Sequence, residues 1–168
     1  MAEPHTNAQS ADAQTYLEQA IDLAVANVAA GGGPFGAVVV LPDGRAFDGQ
    51  NRVTRDNDPT AHAEVVAIRR AAAVAGFDLS GAALYASCEP CPLCLAAALW
   101  ARVASVRFAA DRQDAAAVGF DDALFYEYFD AGEDAHGEGS LMPVARSAVA
   151  GRERPFEAWN AFEARTEY

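Results

Sequence analysis

Two short motifs combine metal-binding side chains with an acid. They are His62-Ala63-Glu64 and Pro90-Cys91-Pro92-Leu93-Cys94, and each precedes an apolar run that favours a helix. Cysteines three residues apart in a first helical turn share one face, where the positive end of the helix dipole favours their thiolates. With one histidine nitrogen they would supply three zinc ligands, which leaves the fourth tetrahedral position to water, as in catalytic zinc sites.

Such a site would activate water. Zinc lowers the pKa of a bound water from about 15.7 toward about 7, so hydroxide becomes available at neutral pH. Glu64 lies two residues beyond His62 and is placed to accept the proton. We therefore predict that His62, Cys91 and Cys94 hold a zinc ion and that Glu64 moves protons.

A second pair of cysteines keeps a different interpretation open. Cys88 and Cys91 also form a C-x-x-C pattern, and a fourth ligand from Cys88 would close the site into a structural zinc centre. The protein would then be a zinc-scaffold binding protein without catalytic activity. We favour the catalytic interpretation, because a structural zinc would leave Glu64 without a role.

The residues around these motifs alternate between helical and strand-like patterns in the order α-ββ-α-β-α-β. The pattern predicts helices at about 16–28, 62–75 and 92–101 and strands at 36–41, 46–50, 83–87 and 104–109. We expect a three-layer α/β/α sandwich around a mixed sheet, with both motifs on the same side of the sheet. Weaker patterns predict a loose arm at 1–10, short helices at 121–129 and 155–164, and an acidic loop at 132–139.

Length and composition indicate a single domain. The chain has 168 residues, and 52% of them are hydrophobic, enough for a substantial core. It has neither a long apolar run nor a signal-peptide pattern at its start, so we expect a cytoplasmic protein. The formal net charge is −12 and there is no lysine, which weighs against a large nucleic-acid partner because such a surface repels phosphate backbones.

Longer stretches of the chain resemble a known family. They are Gly32-Gly-Pro-Phe-Gly36, Gly49-Gln-Asn51, Asn57-Asp-Pro-Thr-Ala-His-Ala-Glu64, Ser87-Cys-Glu-Pro-Cys-Pro-Leu-Cys94, Trp100-Ala-Arg102, Ala117-Val-Gly-Phe-Asp-Asp122, and the end from Pro155-Phe-Glu-Ala-Trp159 to Glu167-Tyr168. The H-x-E and P-C-x-x-C motifs are the signature of zinc deaminases. Together these segments closely resemble the bacterial guanine deaminases of the cytidine-deaminase-like superfamily, whereas the stretch 130–153 matches poorly.

This resemblance implies that the three-layer α/β/α sandwich has a mixed five-stranded sheet, and it also implies an activity and further site residues. It implies that a homodimeric, zinc-dependent aminohydrolase converts a free purine base, guanine, to xanthine and ammonia in purine catabolism. Asp122 would be a second acid in the pocket, and the base would be bound by Asn51, Ala63, Phe35, Trp100 and Tyr168. The C-terminal segment, about 153–168, would close over the site from the partner subunit of a domain-swapped dimer. A tRNA adenosine deaminase, or a deaminase of cytosine or another small heterocycle, shares the zinc chemistry and is the alternative.

Overall fold

The computed structural model describes residues 5–132 and 136–167, with side chains from residue 12 onward. The chain divides into two compact units, Met1–Asp122 and Ala123–Tyr168. The first unit holds the sheet and both sequence motifs. The prediction of a single domain over residues 1–168 stays a prediction.

Within its described residues, the first unit has four strands and five helices. They are α1 (His5–Ala29), β1 (Gly36–Val40), β2 (Ala46–Gln50), α2 (Val53–Asp56), α3 (Ala63–Ala75), β3 (Ala83–Cys88), α4 (Pro92–Trp100), β4 (Ser105–Ala110) and α5 (Arg112–Ala117). The second unit has α6 (Ala123–Asp130) and α7 (Arg154–Ala161). Both predicted motif helices are confirmed, and so is the hairpin that turns at residues 42–44.

The strands form one mixed sheet in the order β2-β1-β3-β4. β1 pairs antiparallel with β2 and with β3, and β3 pairs in parallel with β4 across the crossover helix α4. The predicted mixed sheet and its parallel pair are therefore confirmed. Because β2, β3 and β4 all run opposite to β1, their carboxyl ends and the start of β1 lie at the same end of the sheet. We call this the carboxyl end.

Alternating side chains along the central strands separate the two faces of the sheet. Tyr85 pairs with Val38, and the ring centroid of Tyr85 lies 5.2 Å from that of Tyr16 in α1. The side chains of Val38 and Tyr85 therefore face α1. Val39 and Leu84, one residue along, face α3 and α4. The main core lies on that second face and consists of Ala37, Val39, Leu41, Ala63, Ala67, Ile68, Ala71, Leu79, Ala82, Leu84, Ala98 and Ala101. Helices thus cover both faces, as the three-layer prediction requires.

The prediction of five strands was wrong, because the described residues contain a sheet of four. Directly after β4, the Asp111 carboxylate accepts a hydrogen bond from the backbone N–H of Asp114, and the Asp114 carboxylate accepts one from the N–H of Asp111. This capping box starts α5, and the alanines that follow favour its continuation. α6 comes next, so the chain is helical where a fifth strand would have to begin.

Two helix boundaries also differ from the sequence prediction. α1 begins at His5, so residues 5–10, expected in a loose arm, belong to the helix. Neither proline nor glycine occurs between His5 and Ala29, so the stretch contains no helix breaker. α7 ends at Ala161, whereas the pattern extended it to Ala164. Among the described helices, none has the length and apolar character that a membrane span requires.

Candidate metal centre

The two motifs meet at the carboxyl end of the sheet. β3 ends at Cys88 and leads through residues 89–91 into α4, while β2 ends at Gln50 and leads through residues 51–62 into α3. Since β2 and β3 run in the same direction, both connections leave the sheet at this end, and α3 packs beside α4. The starts of the two helices therefore converge, as predicted.

His62 and Cys91 occupy equivalent positions at the starts of their helices. Each is the N-cap residue with an extended backbone, at φ −66° and ψ 154° for His62 and φ −64° and ψ 169° for Cys91. Neither side chain caps its own helix, and the two side chains meet each other instead. Cys94 follows in the first turn of α4 and is buried.

The separations of the three donor atoms fit a tetrahedral zinc ion. The Sγ atoms of Cys91 and Cys94 are 3.6 Å apart, and Nδ1 of His62 lies 3.5 Å from the first and 3.4 Å from the second. Bonds of about 2.3 Å to sulfur and about 2.05 Å to nitrogen place tetrahedral ligands about 3.8 Å apart for two sulfurs and about 3.6 Å apart for sulfur and nitrogen. Among the described side chains, these residues form the cluster of three that could hold a metal.

A glycine in β2 lets the first turns of α3 approach the sheet. A Cβ on Gly49 would lie 2.7 Å from the backbone nitrogen of Ala67 and would also meet the carbonyl oxygen of Ala63. A larger residue would push α3 away from β2 and would move His62 and Glu64 relative to the cysteines. The glycine therefore contributes to the placement of the ligand cluster.

The cysteine pair concentrates negative charge on Cys91. Its hydrogen bond with the Cys94 thiol, followed by the interaction with His62, lowers the pKa of Cys91 to about 4. The same pairing, together with burial, raises the pKa of Cys94, and the Cys91 sulfur raises the pKa of His62. The arrangement thus favours the thiolate form of Cys91, and the thiolate is the form of cysteine that binds zinc.

Glu64 is a buried acid beside the ligands and is not one of them. It lies in the first turn of α3 with 7% of its surface exposed, and the three-residue cluster does not include it. Burial, followed by the negative charge of Cys91, raises the pKa of the Glu64 carboxyl, which a hydrogen bond with Cys94 lowers in part. A raised pKa brings a carboxyl closer to neutral pH, where a general acid and base works best.

Asp122 is the second acid near the cluster. It is half-buried, precedes α6 and belongs to the first unit. Desolvation, followed by the charge of Cys91, raises the pKa of Asp122, and the Asp122 charge in turn raises the pKa of His62. These mutual effects place the carboxyl within electrostatic reach of two zinc ligands. Its catalytic role stays a prediction.

Three of the predicted substrate-binding residues lie around the same end of the sheet. Asn51 is buried directly after β2, and its backbone N–H donates to the carbonyl of Phe35, which precedes β1. The Phe35 ring meets the Phe120 ring edge to face at 5.0 Å between centroids. Ala63 is buried at the first position of α3, where a backbone N–H has no acceptor within the helix.

One predicted residue lies away from the cluster, and another is outside the described residues. Trp100 is the last residue of α4 and is 71% exposed, about 12 Å along the helix axis from the start of α4. Tyr168 lies outside the described residues. The substrate-binding roles of both residues stay predictions.

Cys88, the residue on which the structural-zinc interpretation depends, points elsewhere. It is the last residue of β3, is buried, and donates its thiol to the backbone carbonyl of Asp111 at 3.5 Å. Burial raises the pKa of Cys88, which keeps the thiol protonated. The ligand cluster does not include Cys88, so a fourth position is available for water.

Replacing Cys88 by alanine is therefore expected to leave the metal in place. Cys88→Ala should retain about one zinc ion per chain, because three ligands remain to hold it. Elemental analysis of the purified variant beside the wild type measures this. A variant that loses its zinc would favour the closed structural site instead.

Sequence reasoning missed an ion pair that joins the motif loop to α5. Arg112 lies 3.0 Å from the Glu89 carboxylate, and the backbone N–H of Arg112 donates to the same carboxylate at 3.1 Å. The Glu89 N–H also donates to the carbonyl of Ala110 at 2.8 Å. These bonds fix the loop that presents Cys91. The acid inside the C-E-P-C pattern was the available signal, but its partner follows β4 and is identified only by the fold.

Comparison with known proteins agrees with this chemistry. A family model described as the cytidine and deoxycytidylate deaminase zinc-binding region matches residues 10–110. Guanine deaminase of Bacillus subtilis is 46% identical over 157 residues, covering 92% of this chain and 98% of that protein. Its crystal structure matches with a TM-score of 0.85, again at 46% identity and with coverage of 92% and 98%.

More distant relatives share less of the chain. A solved guanine deaminase from Nitrosomonas europaea matches with a TM-score of 0.60 at 34% identity, over 72% of this chain and 66% of that one. A tRNA-specific adenosine deaminase of Agrobacterium fabrum is 44% identical over 87 residues, which are 51% of this chain and 57% of that protein. The family match contains the complete ligand cluster and its buried acid, and the chain accordingly belongs to the cytidine and deoxycytidylate deaminase zinc-binding family as a zinc-dependent aminohydrolase.

Proposed function

We propose that the protein hydrolyses a free purine base. The preferred base is guanine, which gives xanthine and ammonia. The observation that carries this proposal is the 46% identity to Bacillus subtilis guanine deaminase over 98% of that protein's length. The match continues beyond the zinc-binding region at residues 10–110, because it covers 92% of the chain. Two tRNA-specific adenosine deaminases match less of the chain, one at 44% identity over 51% and another at 35% identity over 68%.

The chemistry of the pocket residues supports a guanine-like base. Guanine presents an amino group, a ring N–H and a carbonyl, so it offers both donors and an acceptor. We assign the donors to the carboxylate of Asp122 and the acceptor to the amide of Asn51. Phe35 and the backbone N–H of Ala63 would complete the pocket. Adenine lacks this pattern of donors and acceptor.

In the proposed mechanism, His62, Cys91 and Cys94 hold the zinc ion and Glu64 transfers the protons. When bound, zinc lowers the pKa of water toward about 7 and so supplies hydroxide at neutral pH. Glu64 accepts the proton of the water and delivers it to the ring nitrogen beside C2 of the base. Asp122 assists the second transfer, to the amino group that leaves as ammonia. One water is consumed, and the amino group at C2 is replaced by an oxygen.

Two alternative substrates differ in what they demand of the surface and the pocket. A tRNA substrate needs phosphate contacts, which the net charge of −12 and the absence of lysine disfavour. Cytosine or another small heterocycle would use the same zinc chemistry with a different pattern of hydrogen-bonding groups.

We propose a cytoplasmic homodimer whose C-terminal segment, about 153–168, closes over the partner's site through Tyr168.

Steady-state kinetics with a panel of substrates test the proposed function. Xanthine formation from guanine is compared with ammonia release from adenine, cytosine and a tRNA. We expect guanine to be preferred by about 10⁴-fold in kcat/KM, because a site built to pair buried polar groups rejects analogues that leave them unpaired. Preferred turnover of cytosine or of tRNA would refute the guanine assignment and leave the zinc chemistry in place.

A further inference from the structure

One buried polar side chain of α1 joins three segments near the metal centre. Asn27 is 1% exposed, and its amide nitrogen donates a hydrogen bond of 2.8 Å to the carbonyl of Gly33 and another of 2.8 Å to the carbonyl of Asn51. Its amide oxygen accepts from the guanidinium of Arg55 at 3.5 Å. Both amide hydrogens are therefore engaged, and they tie the end of α1 to the loop before β1 and to the residue after β2.

The glycines that follow α1 fit closely around this side chain. A Cβ on Gly32 would lie 2.7 Å from Cγ and from Oδ1 of Asn27, and a Cβ on Gly33 would lie 3.2 Å from Cγ and Oδ1 of Asn51. The backbone N–H of Gly32 also donates to the carbonyl of Asn27 at 2.8 Å. The glycine pair thus packs against two asparagine amides, and an alanine at position 32 would displace the first of them.

Asn51 is held on its backbone and on its amide oxygen. Its N–H donates to the carbonyl of Phe35 at 3.0 Å, and its own carbonyl accepts from Asn27 at 2.8 Å. The Asn51 Oδ1 atom accepts from the backbone N–H of Val53 at 3.3 Å. With the oxygen engaged in this way, Asn51 presents its NH₂ group as a donor, which suits a carbonyl or ring nitrogen of a base.

We propose that Asn27 is a positioning residue for base recognition, acting through Asn51 and Phe35. The proposal rests on the proposed function, because it assigns base contact to those two residues. Asn27 binds the carbonyl of Asn51 directly, and through the Gly33 carbonyl it fixes the loop that leads to Phe35. It thereby sets where the base lies relative to Glu64 without contact to base or zinc.

A double-mutant cycle with Asn51 tests this role. Asn27→Leu keeps the approximate volume of the side chain and removes both donors. We expect it to raise KM for guanine by about 10-fold while zinc content stays unchanged, because small misplacements of a bound substrate are costly. In an Asn51→Ala background the same change should raise KM by less than about 3-fold, because the part of its effect that passes through Asn51 is already lost and only the part through Phe35 remains.

A control on the same helix separates positioning from general loss of packing. Gln19→Leu removes another amide donor of α1, which bonds the Asp48 carboxylate at 2.8 Å and lies about 12 Å along the helix from Asn27. We expect it to leave KM for guanine unchanged. If Asn27→Leu does not fold, Gly32→Ala, which keeps the amide and displaces it, is carried through the same cycle.

Two results would overturn the proposal. One is additive effects of the Asn27 and Asn51 substitutions on KM, and the other is an equal rise in KM from Gln19→Leu. If the wild type prefers another base, the proposed function fails, and the cycle is then measured on that base with the same expectation for Asn27. A wild type that is zinc-loaded but turns over no base would overturn both proposals.

Discussion

Glu64→Gln is expected to reduce kcat by about 10²- to 10⁴-fold, the range that general acid–base catalysis contributes, while the zinc content stays at the wild-type level. The amide keeps the shape of the side chain in the first turn of α3, but it can no longer accept and release a proton. The ligand cluster does not include Glu64, so the metal does not depend on it. Steady-state kinetics and elemental analysis on the same preparation measure both quantities.

Two further variants sharpen this comparison. Glu18→Gln makes the same chemical change on an exposed residue of α1 and should leave kcat unaltered. Asp122→Asn removes the second acid with a raised pKa, and we expect a smaller loss of kcat than for Glu64→Gln with zinc retained, since Asp122 assists only the second of the two proton transfers. Loss of zinc from Glu64→Gln would mean that Glu64 is a ligand and would contradict the assigned role.

The ligand cluster could be predicted from sequence because its geometry is largely local. The spacing of Cys91 and Cys94 fixes their relative placement in one helical turn, and the helix patterns place His62 at the start of a second helix. Only the convergence of the two helix starts needs the fold. The alternating order of strands and helices predicted this convergence. The structure contains it because β2 and β3 run in the same direction.

The parts that sequence did not predict depend on contacts between distant segments or on weak local signals. Asn27 falls on the buried stripe of α1, three residues after Ala24, but only the fold identifies Gly33 and Asn51 as its partners. The helix α5 has only six residues, and its local signals were a capping box and a run of three alanines. The fifth strand was expected because the predicted fold class has one. No segment of the sequence had a strand pattern that would have supplied it.

The family resemblance, and not its place in a helix, predicted a pocket role for Trp100, and that role stays a prediction. The start of α4 carries two of the three zinc ligands, Cys91 and Cys94, and Trp100 is the last residue of the same helix. A helix of nine residues nevertheless separates its two ends by about 12 Å. The described part of the chain therefore leaves Trp100 exposed at the far end of α4, away from the ligands of the same protein chain.

Removing one zinc ligand is expected to abolish both metal binding and activity. His62→Ala, Cys91→Ala and Cys94→Ala each leave two of the three donor atoms that lie 3.4–3.6 Å apart, too few to complete a tetrahedral site. Elemental analysis should find well below one zinc per chain, and guanine turnover should fall below detection, because these ligands hold the ion that activates water. Cys88→Ala, the same substitution three residues before Cys91, is the matched control and should keep both zinc and turnover.

The fold of these zinc-free variants distinguishes a catalytic from a structural metal. Structural zinc sites supply much of the folding free energy of small domains, which unfold without the metal. Here the core that holds α3 and α4 against the sheet consists of alanine and aliphatic side chains such as Val39, Ile68 and Leu84. We therefore expect Cys91→Ala to keep the wild-type circular dichroism spectrum and a cooperative thermal transition. Unfolding of this variant at room temperature would instead make the zinc ion a structural requirement of the fold.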